Sequence, residues 1–174
     1  MKKHELISVS KDHITVLLAE DHGAYRKSLK LLVESDGNIE VIGEARNGRE
    51  AVRLNESLHP DVIVMDIAMP LMNGLQATQQ IMGTSPKTRI LILSAHPEAA
   101  YIKQAVLCGA SGYLIKQSST HVLAQAVREV FEGNSFFRAP IAKPLRVECQ
   151  KLFGKGELLK KRTARAKIVA DADF

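Results

Sequence analysis

The stretch DVIVMD at residues 61–66 sets four consecutive apolar residues between two aspartates. A short apolar run rich in β-branched residues is typical of a strand that is buried on both faces of a parallel sheet. Four further stretches are predicted to be strands: ITVLLA at 14–19, IEVIGEA at 39–45, RILILS at 89–94 and GYLI at 112–115. The segments that follow them carry apolar residues at helical spacing, as in the stripe of Leu123, Ala126, Val127 and Val130. Five strand–helix units predict an α/β fold in which helices cover both faces of a parallel sheet.

The composition limits the classes of protein that need to be considered. The chain has 174 residues, of which 45% are hydrophobic and 25% are charged. These values fit one globular domain with an appendage and exclude wholesale disorder, collagen and coiled coils. No uncharged apolar stretch approaches about 18 residues, so we expect no transmembrane helix. Residues 1–13 have no apolar core of a signal peptide, and with only Cys108 and Cys149 present we expect a cytoplasmic protein.

The positive charge of the chain is concentrated at its carboxyl end. Residues 139–174 contain nine lysines and arginines against four acidic residues, a charge of +5, whereas residues 14–138 have a charge of −1. The body is therefore close to neutral, and the basic character belongs to the tail. A basic tail can touch nucleic-acid phosphates without sequence specificity, but it is more often a solvated extension.

Three carboxylates follow the apolar runs. Glu20 and Asp21 come directly after the first predicted strand, and Asp66 closes the third. The carboxyl ends of parallel strands lie at one edge of a sheet, so the three acids converge if these two strands are neighbours. Crowded like charges are costly unless a cation neutralises them, and Mg²⁺ prefers carboxylate oxygens. Each acid alone has a simpler interpretation, as a helix cap or a turn residue.

Two further polar side chains close predicted strands. Ser94 ends the fourth and Lys116 ends the fifth. Three acids, a hydroxyl and an ammonium around one point suit phosphoryl transfer, because a carboxylate can attack phosphorus while the cations and the hydroxyl stabilise the other oxygens. Taken alone, Ser94 is best explained as a helix cap and Lys116 as a solvated lysine.

Residues 14–133 resemble the receiver domain of bacterial two-component response regulators of the NarL/LuxR-type branch. The resemblance is carried by five motifs: LLAEDH at 17–22, EARNGREAV at 44–52, DVIVMDIAMPLMNGL at 61–75, ILILSAH at 90–96 and GASGYLIK at 109–116. It implies a flavodoxin-like (βα)5 doubly wound sheet with strand order 2-1-3-4-5. It also implies a phosphoacceptor in a phosphorelay that is not an enzyme, beyond assisting its own phosphorylation and dephosphorylation.

The resemblance implies a role for each polar residue at the strand ends. Asp66 would take a phosphoryl group from a sensor histidine kinase. The cofactor would be Mg²⁺, held by Glu20, Asp21, Asp66 and the backbone carbonyl of Ala68. Lys116 would contact the phosphoryl oxygens.

The same resemblance implies a conformational switch. Ser94 would move to meet a phosphoryl oxygen, and Tyr113 would swing into the space that it leaves. Without the family match, Tyr113 would be interpreted as a half-buried tyrosine on a short strand.

The pattern changes after Gly133. We expect an N-terminal extension at 1–13, the receiver domain at 14–133, and a linker with a basic C-terminal tail at 134–174. Members of this branch usually carry a helix-turn-helix domain that binds DNA, yet residues 139–174 show no such pattern, so we expect that output domain to be absent here.

Two functions therefore stay open. The first is a phosphoacceptor module, either as a monomer or as a homodimer. The second is a transcriptional regulator that binds DNA through an output domain missing from this chain. A haloacid-type phosphatase is disfavoured, because residue 68 is alanine where a second aspartate would be needed.

Overall fold

A computed structural model describes residues 13–118 and 121–138. The predicted extension before His13 and the basic tail from residue 139 lie outside the described residues. The strands are β1 (Ile14–Ala19), β2 (Ile39–Ala45), β3 (Val62–Asp66), β4 (Arg89–Ser94), β5 (Gly112–Ile115) and β6 (Phe136–Arg138). The helices are α1 (Gly23–Glu34), α2 (Gly48–Leu58), α3 (Gly74–Thr84), α4 (Ala99–Cys108) and α5 (Leu123–Phe131), with a short 3₁₀ turn at Lys116–Ser118.

All six strands form one parallel sheet with the order β2-β1-β3-β4-β5-β6. The predicted order 2-1-3-4-5 is confirmed, and β6 is added at the edge. Strand β1 pairs with both β2 and β3, so the ends of β1 and β3 are adjacent. This adjacency is what brings acids from two distant parts of the sequence together.

Two apolar layers cover the sheet. Successive strand residues point to opposite faces, so β1 contributes Leu17 to one layer and Val16 and Leu18 to the other. The first layer includes residues of α2, α3 and α4, and the second includes residues of α1 and α5. The predicted stripe on α5 is fully within the second layer, with Leu123, Ala126, Val127 and Val130 each at most 1% exposed. That stripe therefore serves the core.

Strand β6 departs from the sequence-based expectation. The pattern predicts a linker from residue 134, but Phe136–Arg138 pair in parallel with β5, with Phe136 opposite Gly112 and Phe137 opposite Tyr113. A Cβ on Gly112 would lie 2.6 Å from the Phe136 carbonyl oxygen, so the glycine permits this close approach. The open edge of β5 supplies the hydrogen bonds that a three-residue segment cannot supply for itself.

Within the described ranges, no helix combines the length and the apolar character that crossing a bilayer requires.

Candidate functional site

Three carboxylates meet at the carboxyl edge of the sheet. Glu20, Asp21 and Asp66 each offer an oxygen, and these oxygens all lie within 4.8 Å of one another. Glu20 and Asp66 are buried, at 2% and 3% exposure, whereas Asp21 is exposed. The predicted convergence of the three acids is thus what the adjacency of β1 and β3 produces.

Lys116 reaches into the carboxylates from the end of β5. Its Nζ lies 2.8 Å from Oε2 of Glu20 and 3.2 Å from Oδ2 of Asp66. Burial acts to lower the pKa of Lys116, but the hydrogen bond that it donates to Glu20 and the charge of Asp66 outweigh burial and raise the pKa. The ammonium is therefore charged at neutral pH and compensates two buried carboxylates.

Glu20 shows the cost of burial. Desolvation raises the pKa of its carboxyl, even though the hydrogen bond with Lys116 acts in the opposite direction. The charge of Asp66 raises it further. An additional cation beside these oxygens would relieve the same repulsion.

The donor set fits a hard divalent cation. Three carboxylates close to one another, one of them open to solvent, can supply oxygen ligands and leave room for water. The fourth predicted ligand is the backbone carbonyl of Ala68, an exposed residue two positions beyond Asp66. That carbonyl does not belong to the cluster of three carboxylates. Its role as a ligand of the cation stays a prediction.

The loop that carries Ala68 is tightly held against β3. Asn73 caps α3 by accepting from the Gln76 N–H, and the Gln76 side chain accepts from the Asn73 N–H. A Cβ on Gly74 would lie 1.9 Å from the carbonyl oxygen of Asp66. Glycine at this position is therefore required for α3 to start directly behind the candidate phosphoacceptor.

Ser94 and Tyr113 hold the backbone of His96 between them. Ser94 Oγ accepts a hydrogen bond from the His96 N–H at 3.1 Å. The Tyr113 hydroxyl donates to the His96 carbonyl at 2.6 Å. Helix α4 begins later, at Ala99, with Glu98 as its N-cap, so Ser94 is not its cap. Both side chains are fully buried, and burial raises the pKa of Tyr113.

Comparison with known proteins establishes the family. The family model of the response regulator receiver domain matches residues 16–128. This chain belongs to that family.

Its relatives are longer proteins. The transcriptional regulatory protein DegU of Brevibacillus brevis is 32% identical over 149 residues, which are 86% of this chain and 63% of DegU. The transcriptional regulatory protein YdfI of Bacillus subtilis is 40% identical over 130 residues, which are 75% of this chain and 61% of YdfI. The chain thus spans about three fifths of the length of these curated relatives.

A solved structure supports the same assignment. The signal receiver domain of the putative response regulator NarL from Mycobacterium tuberculosis superposes with a TM-score of 0.68 at 32% identity, covering 71% of this chain and 99% of that one. The predicted branch and the flavodoxin-like fold are confirmed. Strand β6 of this receiver lies beyond the last matched residue, 128.

A cavity of about 410 Å³ opens beside the acids of the receiver. Its lining includes His22 and Gln117, together with Tyr25, whose ring lies 5.0 Å below Nζ of Lys116. The Tyr25 hydroxyl is buried and has no hydrogen-bond partner within the described part of the chain. Glu20 and Lys116 of the candidate site also line this cavity.

Arg26 of the receiver is a site-adjacent residue that the sequence analysis missed. Its side chain is buried and donates to the carbonyl of Glu20 at 2.6 Å and to the carboxylate of Glu44 at 2.9 Å. A signal was available, because Arg26 lies three residues before Leu29 and seven before Val33, on the buried stripe of α1. A charged residue on an apolar stripe indicates a specific partner.

Proposed function

We propose that this receiver accepts a phosphoryl group on Asp66 from the phosphohistidine of a sensor histidine kinase, with Mg²⁺ as cofactor. The observation that carries the proposal is the meeting of three carboxylate oxygens within 4.8 Å, with an ammonium 2.8 Å and 3.2 Å from two of the acids. In a purely structural ion pair, one acid would balance the charge of Lys116. The three acids exceed that charge by two, which a divalent cation would neutralise.

The proposed reaction moves one phosphoryl group. A carboxylate oxygen of Asp66 attacks phosphorus in line, the bond between phosphorus and the donor nitrogen breaks, and the imidazole keeps the electron pair. Glu20, Asp21, Asp66 and the Ala68 carbonyl would hold Mg²⁺, which supplies charge neutralisation for the phosphoryl oxygens. Lys116 would lose part of its contact with Asp66 and contact a phosphoryl oxygen instead.

The conformational response is proposed to run through Ser94 and Tyr113. A phosphoryl oxygen on Asp66 would accept a hydrogen bond from the Ser94 hydroxyl, and rotation of the serine towards it would break the bond that its Oγ accepts from the His96 N–H. The His96 backbone is bonded to Tyr113 as well, so a change at Ser94 alters the support of the tyrosine hydroxyl. Phosphorylation biases this two-state equilibrium only through its different interactions with the two states.

Intact-mass measurement tests the reaction. The chain is incubated with Mg²⁺ and acetyl phosphate beside two variants, Asp66→Ala and the near-isosteric Asp66→Asn. We expect a base-labile gain of about 80 Da in the wild type only, and none when the metal is chelated. A gain of the same size in Asp66→Asn would place the phosphoryl group elsewhere and contradict the proposal. The rate at which the gain disappears measures any autophosphatase activity.

The second candidate function is transcription regulation through DNA binding. The support is that DegU and YdfI are named transcriptional regulatory proteins and are longer than the matched region. We propose that residues 1–13 are an extension, 14–133 the receiver, and 134–174 a linker and basic tail, with DNA contacted through an output domain. A salt titration of this chain with duplex DNA tests whether the basic tail itself binds DNA, since such nonspecific binding weakens steeply with salt.

Two further proposals concern the setting of the receiver. The first is a cytoplasmic location, where a sensor histidine kinase would phosphorylate the receiver and Mg²⁺ would be supplied. The second is a homodimer of the phosphorylated receiver, which sedimentation with and without beryllofluoride measures directly. No increase in sedimentation coefficient would exclude that dimer at the concentration used.

A further inference from the structure

Arg26 connects the loop that carries the acidic pair to the end of strand β2. It is 8% exposed. Its Nη1 donates to the Glu20 carbonyl oxygen at 2.6 Å, and its Nε donates to Oε2 of Glu44 at 2.9 Å. Because the guanidinium is planar and rigid, the two bonds fix the end of β1 relative to the end of β2.

The carbonyl that Arg26 binds belongs to the peptide unit between Glu20 and Asp21. Peptide planarity means that the direction of this carbonyl sets the direction in which the chain continues to Asp21. The N–H of Glu20 donates to the Ala45 carbonyl at 3.0 Å, so β2 holds the other side of the same residue. The backbone of Glu20 is therefore fixed on both sides, once directly and once through Arg26.

The charge of the Arg26 guanidinium does not by itself account for its effect on the acidic pair. The carboxylate of Glu44 faces Arg26, and the hydrogen bond from Arg26 lowers the pKa of that carboxyl, which is therefore ionised at neutral pH. Lys30 also lies 3.6 Å from Glu44. Since Glu44 offsets the guanidinium charge, the main effect of Arg26 on the acidic pair is through the orientation of the peptide.

We propose that Arg26 is a positioning residue of the metal site, which acts by fixing the Glu20–Asp21 peptide so that both carboxylates face Asp66. The inference rests on the proposed function, because it takes the three acids as the ligands of a divalent cation. Arg26 itself touches neither the cation nor the phosphoryl group. Its loss would leave a buried carbonyl without a donor and allow the peptide to rotate.

The test is Mn²⁺ affinity of the full chain, measured by the electron paramagnetic resonance signal of free Mn²⁺. Arg26→Met is expected to weaken binding about tenfold, as the loss of a group that orients a ligand does. Arg26→Lys is expected to recover part of the affinity, because an ammonium can still donate to the Glu20 carbonyl. Glu44→Gln is expected to stay within about twofold, because its amide oxygen still accepts from Arg26.

Val33→Ala is the control for stability. Val33 is fully buried on α1, two turns beyond Arg26 and away from the acids, so its truncation weakens the same helix without touching the loop. We expect it to lower the melting temperature and leave Mn²⁺ affinity unchanged. A loss of affinity equal to that of Arg26→Met would mean that affinity follows stability and would overturn the inference.

The remaining outcomes separate the inference from the proposed function. Wild-type binding with unchanged affinity in Arg26→Met overturns the positioning role and leaves the metal site intact. Failure of the wild type to bind Mn²⁺ overturns the metal site itself, and the role of Arg26 with it. An Arg26→Lys variant as weak as Arg26→Met would show that the donor to the Glu20 carbonyl is not what matters.

Discussion

Replacing Lys116 by methionine removes the cation that two buried carboxylates share. At separations of 2.8 Å and 3.2 Å and an effective dielectric constant of about 20, the attractions to Glu20 and Asp66 are about 6 and about 5 kcal/mol. Desolvation of the lysine, whose side chain is 22% exposed, cancels much of this. Removing one partner of such a pair usually costs about 3–5 kcal/mol, and we expect about 3 kcal/mol for Lys116→Met at neutral pH without divalent ions.

Thermal unfolding in the presence of a chelator measures this loss. About 3 kcal/mol corresponds to a melting temperature lower by roughly 10 °C for a domain of this size. Lys103→Met, at an exposed position on α4, is the control and is expected to stay within about 0.5 kcal/mol of the wild type. Mg²⁺ is expected to raise the melting temperature of Lys116→Met more than that of the wild type, because the lysine no longer competes for the carboxylates.

The pH dependence of Lys116→Met has a definite sign. Burial already raises the pKa of Glu20, and loss of the lysine raises it further. Protonated Glu20 needs no cation, so the deficit of the variant is expected to shrink as the pH falls from about 7 towards about 4. In the wild type, the raised pKa of Lys116 preserves its contribution until the pH exceeds about 10. A deficit below about 0.5 kcal/mol, or one that does not change with pH, would refute the reasoning.

Three further predictions concern stability and are measured by urea unfolding. Gly74→Ala is expected to cost about 3 kcal/mol, because its Cβ would lie 1.9 Å from a backbone oxygen of β3. In the control Gly83→Ala, the new Cβ of the same helix meets no atom within 4 Å, and we expect it to stabilise the protein by about 0.5–1 kcal/mol. Equal effects of the two substitutions would contradict the packing argument. Leu71→Gly is expected to stabilise by about 0.5–1 kcal/mol, because Leu71 is exposed and has a φ of 65°; a loss would mean that its side chain packs usefully. Tyr113→Phe is expected to lose about 1 kcal/mol with the hydrogen bond to the His96 carbonyl, and unchanged stability would show that this bond contributes nothing.

The central strands could be predicted because they are buried on both faces. Such strands need apolar residues at nearly every position, and the runs at 14–19 and 89–94 match β1 and β4 residue for residue. Helix ends were harder to predict. The apolar spacing predicts helices over 25–33 and 120–132. The corresponding helices α1 and α5 instead begin at Gly23 and at Leu123. Helix ends depend on caps and neighbouring loops, which sequence periodicity does not report.

The acids of the candidate site could be predicted from their position after the apolar runs. Their convergence needed only the assumption that β1 and β3 are neighbours, which the structure bears out. The contacts of Ser94 could not be predicted in the same way. Its partner is a backbone N–H of the loop after β4, and loop backbone geometry leaves no periodic trace in a sequence.

The sequence by itself determined the α/β class, the carboxyl-edge location of Glu20, Asp21 and Asp66, and the separation of a near-neutral body from a basic tail. These features follow from local rules: burial on two faces demands apolar runs, and parallel strands place their ends together. Only the tertiary structure decided that Phe136–Arg138 form a strand and that Arg26 binds the Glu20 carbonyl. Both depend on a partner that another element of the fold brings close in space, since a short strand needs an open sheet edge and a buried guanidinium needs acceptors from other elements.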